Sequence, residues 1–114
     1  MAAEMPTKVE PVTGAVAVDF PWAAATTAVT ALNVAASTLD AQLVTRAEMA
    51  PTLTDWTGAF RTEFDSASTR ITTGASGLKE TLTRVAFWIV GGAEAANHQQ
   101  RTGNAAAAAA QPVP

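Results

Sequence analysis

Leu53-Thr54-Asp55-Trp56-Thr57-Gly58-Ala59-Phe60 lies near the middle of a 114-residue chain, and its reading decides the fold. Pro51 stands just upstream and forces the residue before it away from helical geometry, so a helix arriving from the N-terminal side ends there. Gly58 allows backbone angles or a close approach that a side chain forbids. Trp56 offers a broad flat surface to lie between two helix ends, and Asp55 or Thr54 is placed to cap a second helix.

Working outward from this turn, a heptad seam runs on each side. Upstream, Trp22, Ala25, Val29, Leu32, Ala36, Leu39 and Leu43 are spaced 3, 4, 3, 4, 3, 4, the stripe by which one helix packs on another. Pro21 suits the start of that helix, where its missing N–H costs nothing, and Asp19 is placed to help cap it. Thr26, Thr27, Thr30, Asn33, Ser37, Asp40 and Gln42 fill the positions between, and several are poor helix formers. Packing along the seam must therefore hold the helix. Downstream, Phe60, Phe64, Ala67, Ile71, Gly74 and Leu78 are spaced 4, 3, 4, 3, 4, and the phase then shifts by one residue to Leu82, Val85, Ile89 and Gly92. Gly74 and Gly77 weaken the helix locally and mark either a close helix–helix approach or a bend. The second helix is expected to fade between Gly91 and Gly103.

The short connection makes the two helices antiparallel. At ~30 and ~35 residues they span ~45–50 Å each. The predicted fold class is all-α: an antiparallel two-helix hairpin over residues 21–98, pairing into a four-helix bundle dimer. Residues 1–20, with Pro6, Pro11, Gly14 and no helical period, read as a flexible arm. Residues 99–114, with six consecutive alanines and then Gln111-Pro112-Val113-Pro114, read as a disordered tail with helical tendency.

Composition narrows function. Hydrophobic residues make up 48%, much of it alanine, which favours helix but buries little area. A net charge of −3 without clustered Lys or Arg gives no footprint for nucleic acid. The chain has no cysteine, and His98 has only Glu94 beside it at helical spacing, so neither a metal site nor a cofactor is expected. No spacing suggests a Ser–His–acid or paired-carboxylate centre, and a hairpin lacks a concave pocket, so no enzyme is expected. The longest strongly apolar run, Val85 to Val90, is far short of the ~20 residues of a membrane span. The first residues lack a general secretory signal pattern.

A lone two-helix hairpin buries one seam and is marginal by itself. Because Val85 to Val90 is apolar all round, one neighbour cannot cover it. Phe87, Trp88, Ile89 and Val90 are therefore assigned to a partner interface. A membrane surface is the lesser reading, since the flanks lack the basic residues of a membrane-binding helix.

The turn between two heptad seams resembles the WXG family of small type VII (ESX) secretion substrates. The residues that carry the resemblance are Trp56-Thr57-Gly58, Leu53 three before the tryptophan and Phe64 eight after it. The layout matches over residues ~22 to ~98, but the specific motif is only these few positions. The resemblance implies a hairpin that works as a homodimer or heterodimer with a small helical partner. It implies export by the type VII machinery from the cytoplasm to the outside or the cell surface. Leu53, Trp56, Gly58, Phe60 and Phe64 then form the turn and recognition motif, and for Trp56 and Gly58 a turn without recognition stands as the other reading. The chain departs from the family in its long arm, in its alanine- and proline-rich tail, and in having no tyrosine. The family's export signal commonly includes one, with an acidic residue four positions on. If the chain is one of a pair, it is the member that supplies the turn. The alternative function is a non-exported structural or adaptor coiled coil that self-associates through the same seams.

Overall fold

The computed structural model describes residues 2–49 and 58–111. It contains helix α1, Trp22–Met49, and helix α2, Ala59–Ala109, and among the described residues no strand. The chain is an all-α antiparallel hairpin, as expected. Its antiparallel course is fixed by three cross-contacts. Lys79 Nζ meets Asp40 Oδ1 at 2.5 Å, Val29 packs with Ala86 and Val90, and Phe20, just before α1, lies against Gly92.

The molecule is a rod, 87 × 17 × 17 Å, with a Cα radius of gyration of 23.4 Å. A compact chain of this length would have about 13 Å. The shape follows from α2, whose 51 residues make ~77 Å of helix at 1.5 Å per residue. α1 has 28 residues and covers only about half of it.

The α1 seam falls where the spacing puts it. Ala25, Val29 and Ala36 are buried, and Trp22, Leu32, Leu39 and Leu43 are half-buried. The carbonyl of Pro21 accepts the Ala25 N–H at 2.9 Å, so the proline sits immediately before the first helical turn.

The second half of the expected α2 seam lies at the edge of the contact, with Leu82, Val85 and Ile89 half-buried and Gly92 beside Phe20, but the most buried line runs one residue further on. That line is Ala86, Val90, Ala93, Asn97 and Gln100. Ile71 and Leu78, expected to face inward, are 48% and 50% exposed. A reading that follows the bulkiest apolar residues misses a seam of alanines and amides. Ala86 and Ala93 are fully covered because small residues let the packed elements approach closely. The glycines at 74 and 77 do not mark a close approach within the chain: a Cβ at either would meet nothing within 4 Å. Gly77→Ala is therefore expected to raise the unfolding free energy by about 1 kcal/mol through helix propensity alone, measurable by urea denaturation.

Both chain ends differ from the sequence reading. α2 continues to Ala109, well past Gly103, where a disordered tail was expected. Alanine supplies propensity there, and residues 2–20 supply the packing that an isolated alanine run lacks. The arm, expected to be flexible, lies extended along α2. It runs outward on one flank, turns at Gly14, and returns on the other flank into α1. Ala3 is buried in the core cluster with Val29, Ala86 and Val90, and Met5, Leu32 and Ile89 pack around it. Prolines at 6 and 11 break a helical pattern, but their fixed φ also preorganises an extended chain.

Candidate interaction surfaces

Leu53 and Trp56, and the side chain of Phe60, lie outside the described residues. Gly58 is described and takes a role the sequence did not assign to it. It is the N-cap of α2, with φ 79° and ψ −153°, and its carbonyl accepts the Thr62 N–H at 3.2 Å. Asp55 and Thr54, read from sequence as candidate caps, lie outside the described residues. These backbone angles are open essentially to glycine alone. Gly58→Ala should cost about 1–3 kcal/mol, read as a lower midpoint in thermal unfolding followed by circular dichroism.

The register of α2 leaves Ile71, Leu78 and Trp88 exposed on a second heptad line. Counting on from Phe64 at alternating spacings of three and four gives Ala67, Ile71, Gly74, Leu78, Thr81, Val85 and Trp88. Phe64, Ala67 and Val85 are half-buried, whereas Ile71, Leu78 and Trp88 are exposed, Trp88 by 67%. The seam read from sequence is thus largely real as a pattern, but much of it faces away from α1. The four residues assigned to a partner divide. Phe87 and Trp88 are exposed, Ile89 is half-buried against the core, and Val90 is 7% exposed and belongs to the core itself.

The other surface was not foreseen. The buried line of α2 continues as Asn97, Gln100, Asn104, Ala107 and Gln111, at the spacings of the seam before it. Beyond Ala93 no helix lies opposite, and four amide side chains take the main chain of the arm instead. Asn97 accepts the Val9 N–H at 2.7 Å and donates to the Thr7 carbonyl at 2.9 Å. Asn104 accepts the Val12 N–H at 3.1 Å and donates to the Glu10 carbonyl at 2.9 Å. Gln111 donates to the Thr13 carbonyl at 3.3 Å. On the returning leg, Gln100 accepts the Val18 N–H at 2.8 Å and donates to the Val16 carbonyl at 3.1 Å, and it also donates to Asn104 Oδ1 at 3.0 Å. Asn33 on α1 makes the same two-bonded pairing with Ala3, at 3.2 and 2.7 Å.

A simple length match sets this register. Asn97, Asn104 and Gln111 are one heptad apart, ~10.5 Å along a helix. The carbonyls they hold, Thr7, Glu10 and Thr13, are three residues apart, ~10 Å of extended chain. Stepping back one heptad gives Val90, where an amide would require an N–H from residue 6. That residue is proline, and the position is apolar. Pro11 likewise falls where no donor is used. Gly14, with φ 86°, closes the turn in which Ala15 N–H reaches the Val12 carbonyl at 2.9 Å. A Cβ on Gly14 would also stand 3.0 Å from Gln111 Nε2. The signal that could have revealed the ladder was the unbroken heptad count through Asn97, Gln100, Asn104 and Gln111.

The described residues contain no group of three His, Cys, Asp or Glu side chains able to hold a metal ion, and His98 is exposed. No helix among them is long and apolar enough to cross a membrane. Comparison of the chain with family models, with curated proteins and with solved structures finds no match.

Proposed function

We propose that the chain is a non-enzymatic, WXG-like protein of a type VII (ESX) secretion system that works as a dimer, in the first instance a heterodimer, with a small helical partner. The observation that carries this reading is the exposed apolar line Ile71, Leu78 and Trp88 on α2, in heptad phase with half-buried Phe64 and Val85. A rod with a thin alanine core has reason to cover such a line, and a second helical hairpin has the matching shape. Gly74, on the same line and with open space beside it, leaves room for a partner backbone to come near. Trp56-Thr57-Gly58 falls between α1 and α2, with Gly58 opening the second helix as a turn motif would. In this reading the protein is made in the cytoplasm and exported to the cell surface or beyond, and it supplies the turn that the secretion machinery reads beside a partner's signal.

Size-exclusion chromatography with light scattering, of the chain alone and with the product of the adjacent gene, tests the pairing. A one-to-one complex is expected. Leu78→Asp should weaken it at least about tenfold, as removal of an interface anchor does, while helical content stays unchanged. A stable monomer that ignores its neighbour would reject the reading. A self-associated species sensitive to Leu78→Asp would instead favour a non-exported coiled-coil adaptor, because one apolar line can pair with its own copy. Culture fractionation of Trp56→Arg separates export from adaptor function: folded protein retained in cells supports export through the turn.

A further inference from the structure

Residues 7–18 of the arm are hydrogen-bonded to α2 through their main chain, while Ala3 and Met5 before them pack into the core. Asn97, Gln100 and Asn104 each present an amide oxygen and an amide NH2 to the arm, and each accepts from an N–H and donates to a C=O two residues apart. Most side chains at these rungs point to solvent: Thr7, Lys8, Glu10, Val12 and Val16 are exposed, and only Val9 and Val18 are half-buried. Such a site recognises a backbone that is extended and has donors where the rungs need them. It is tolerant of side chains, and it accepts proline at the positions between.

We propose that the amide ladder on α2 is a main-chain-reading site for extended polypeptide, filled in cis by residues 7–18 and open in trans to the same segment of a second copy. The arm is a tethered ligand, joined to α1 through Asp19-Phe20-Pro21. The rungs that hold residues 7–18 lie on α2 beyond the reach of α1, so this segment can leave without separating the two helices. Exchange of an identical segment between copies replaces every bond it breaks. The ladder is distinct from the apolar line at Ile71, Leu78 and Trp88, and its test does not depend on that line.

The test uses the full chain, labelled with nitrogen-15, and a synthetic peptide of residues 2–20 as competitor. A short tether gives the resident arm an effective concentration on the order of millimolar. The peptide is therefore expected to displace the arm at millimolar concentrations, moving the Val9, Val12 and Val18 amide resonances together to free-arm positions. A peptide N-methylated at Val9 and Val12, which removes two donors and keeps the side chains, should compete at least about tenfold more weakly. A peptide carrying Lys8→Ala and Glu10→Ala should compete as well as the parent to within about threefold. Failure of the parent peptide to displace the arm at several millimolar would make residues 7–18 a fixed part of the fold and overturn the proposal. Equal competition by the N-methylated peptide would overturn it as well, because the main-chain donors would then not be what the site reads.

Discussion

Asn97→Ala is expected to detach the outgoing leg of the arm and lower the unfolding free energy by about 2 kcal/mol, the worth of two intramolecular hydrogen bonds at ~1 kcal/mol each. Asn97 is the largest fully buried side chain among the described residues, at 2% exposure, and it holds both the Thr7 carbonyl and the Val9 N–H. Alanine fills less space and offers neither partner. The freed groups of the arm can recover water only by leaving α2, so the loss appears first as opening of the arm. Hydrogen exchange should show this directly: the Val9 amide exchanges faster by a factor of ten or more, while amides in the middle of α1 change little. Asn104→Ala should have a smaller effect, since its two bonds to the arm are exposed and compete with solvent. Slow exchange at Val9 in Asn97→Ala, with unchanged stability, would show that the ladder does not hold the arm.

Ala86→Leu is the second large effect, and it acts on packing. Ala86 is fully buried against Ala3, Val29 and Val90, where the arm enters the groove between the helices. Three added carbons have no space there, and overpacking of this kind costs about 1–3 kcal/mol. For a chain of this size each kcal/mol moves the thermal midpoint by about 4–8 °C. A fall of roughly 10 °C is therefore expected in a calorimetric scan. Ala95→Leu is the control: Ala95 is exposed on the same helix two residues beyond buried Ala93, and the change should move the midpoint by no more than a few degrees. If both variants behave alike, the alanine seam is not the tight contact of the rod.

The α1 seam from Trp22 to Leu43 was legible because large and small apolar residues alternate at heptad spacing with polar residues between them. On α2 the same habit of reading misled. Phe64, Ile71, Leu78 and Val85 form a real heptad line, yet the helix turns Ala86, Val90 and Ala93 inward and leaves Ile71 and Leu78 open. Burial depends on which line the neighbour can approach most closely, and alanine wins that contest without standing out in a hydropathy pattern. At the turn, Gly58 was recognised as a residue that needs unusual backbone angles, but its place as the N-cap of α2 came from the folded chain. Leu53, Trp56 and Phe60 belong to the motif by sequence, and their side chains lie outside the described residues.

The sequence by itself determined that this is an all-helical chain bent back once near Gly58, because alanine propensity, heptad spacing and the Pro51–Gly58 break are all local. Tertiary structure alone decided what covers α2 beyond the reach of α1. Asn97, Gln100, Asn104 and Gln111 are polar residues near a glycine and an alanine run, and locally they spell a fraying tail. Their partners are 82 to 98 residues away in the chain and are main-chain groups, which every residue but proline carries in full. The heptad spacing of the four amides marks the face they share, but no pattern of side chains in the arm marks its partner groups. The contact exists because one heptad of helix and three residues of extended chain happen to span nearly the same length.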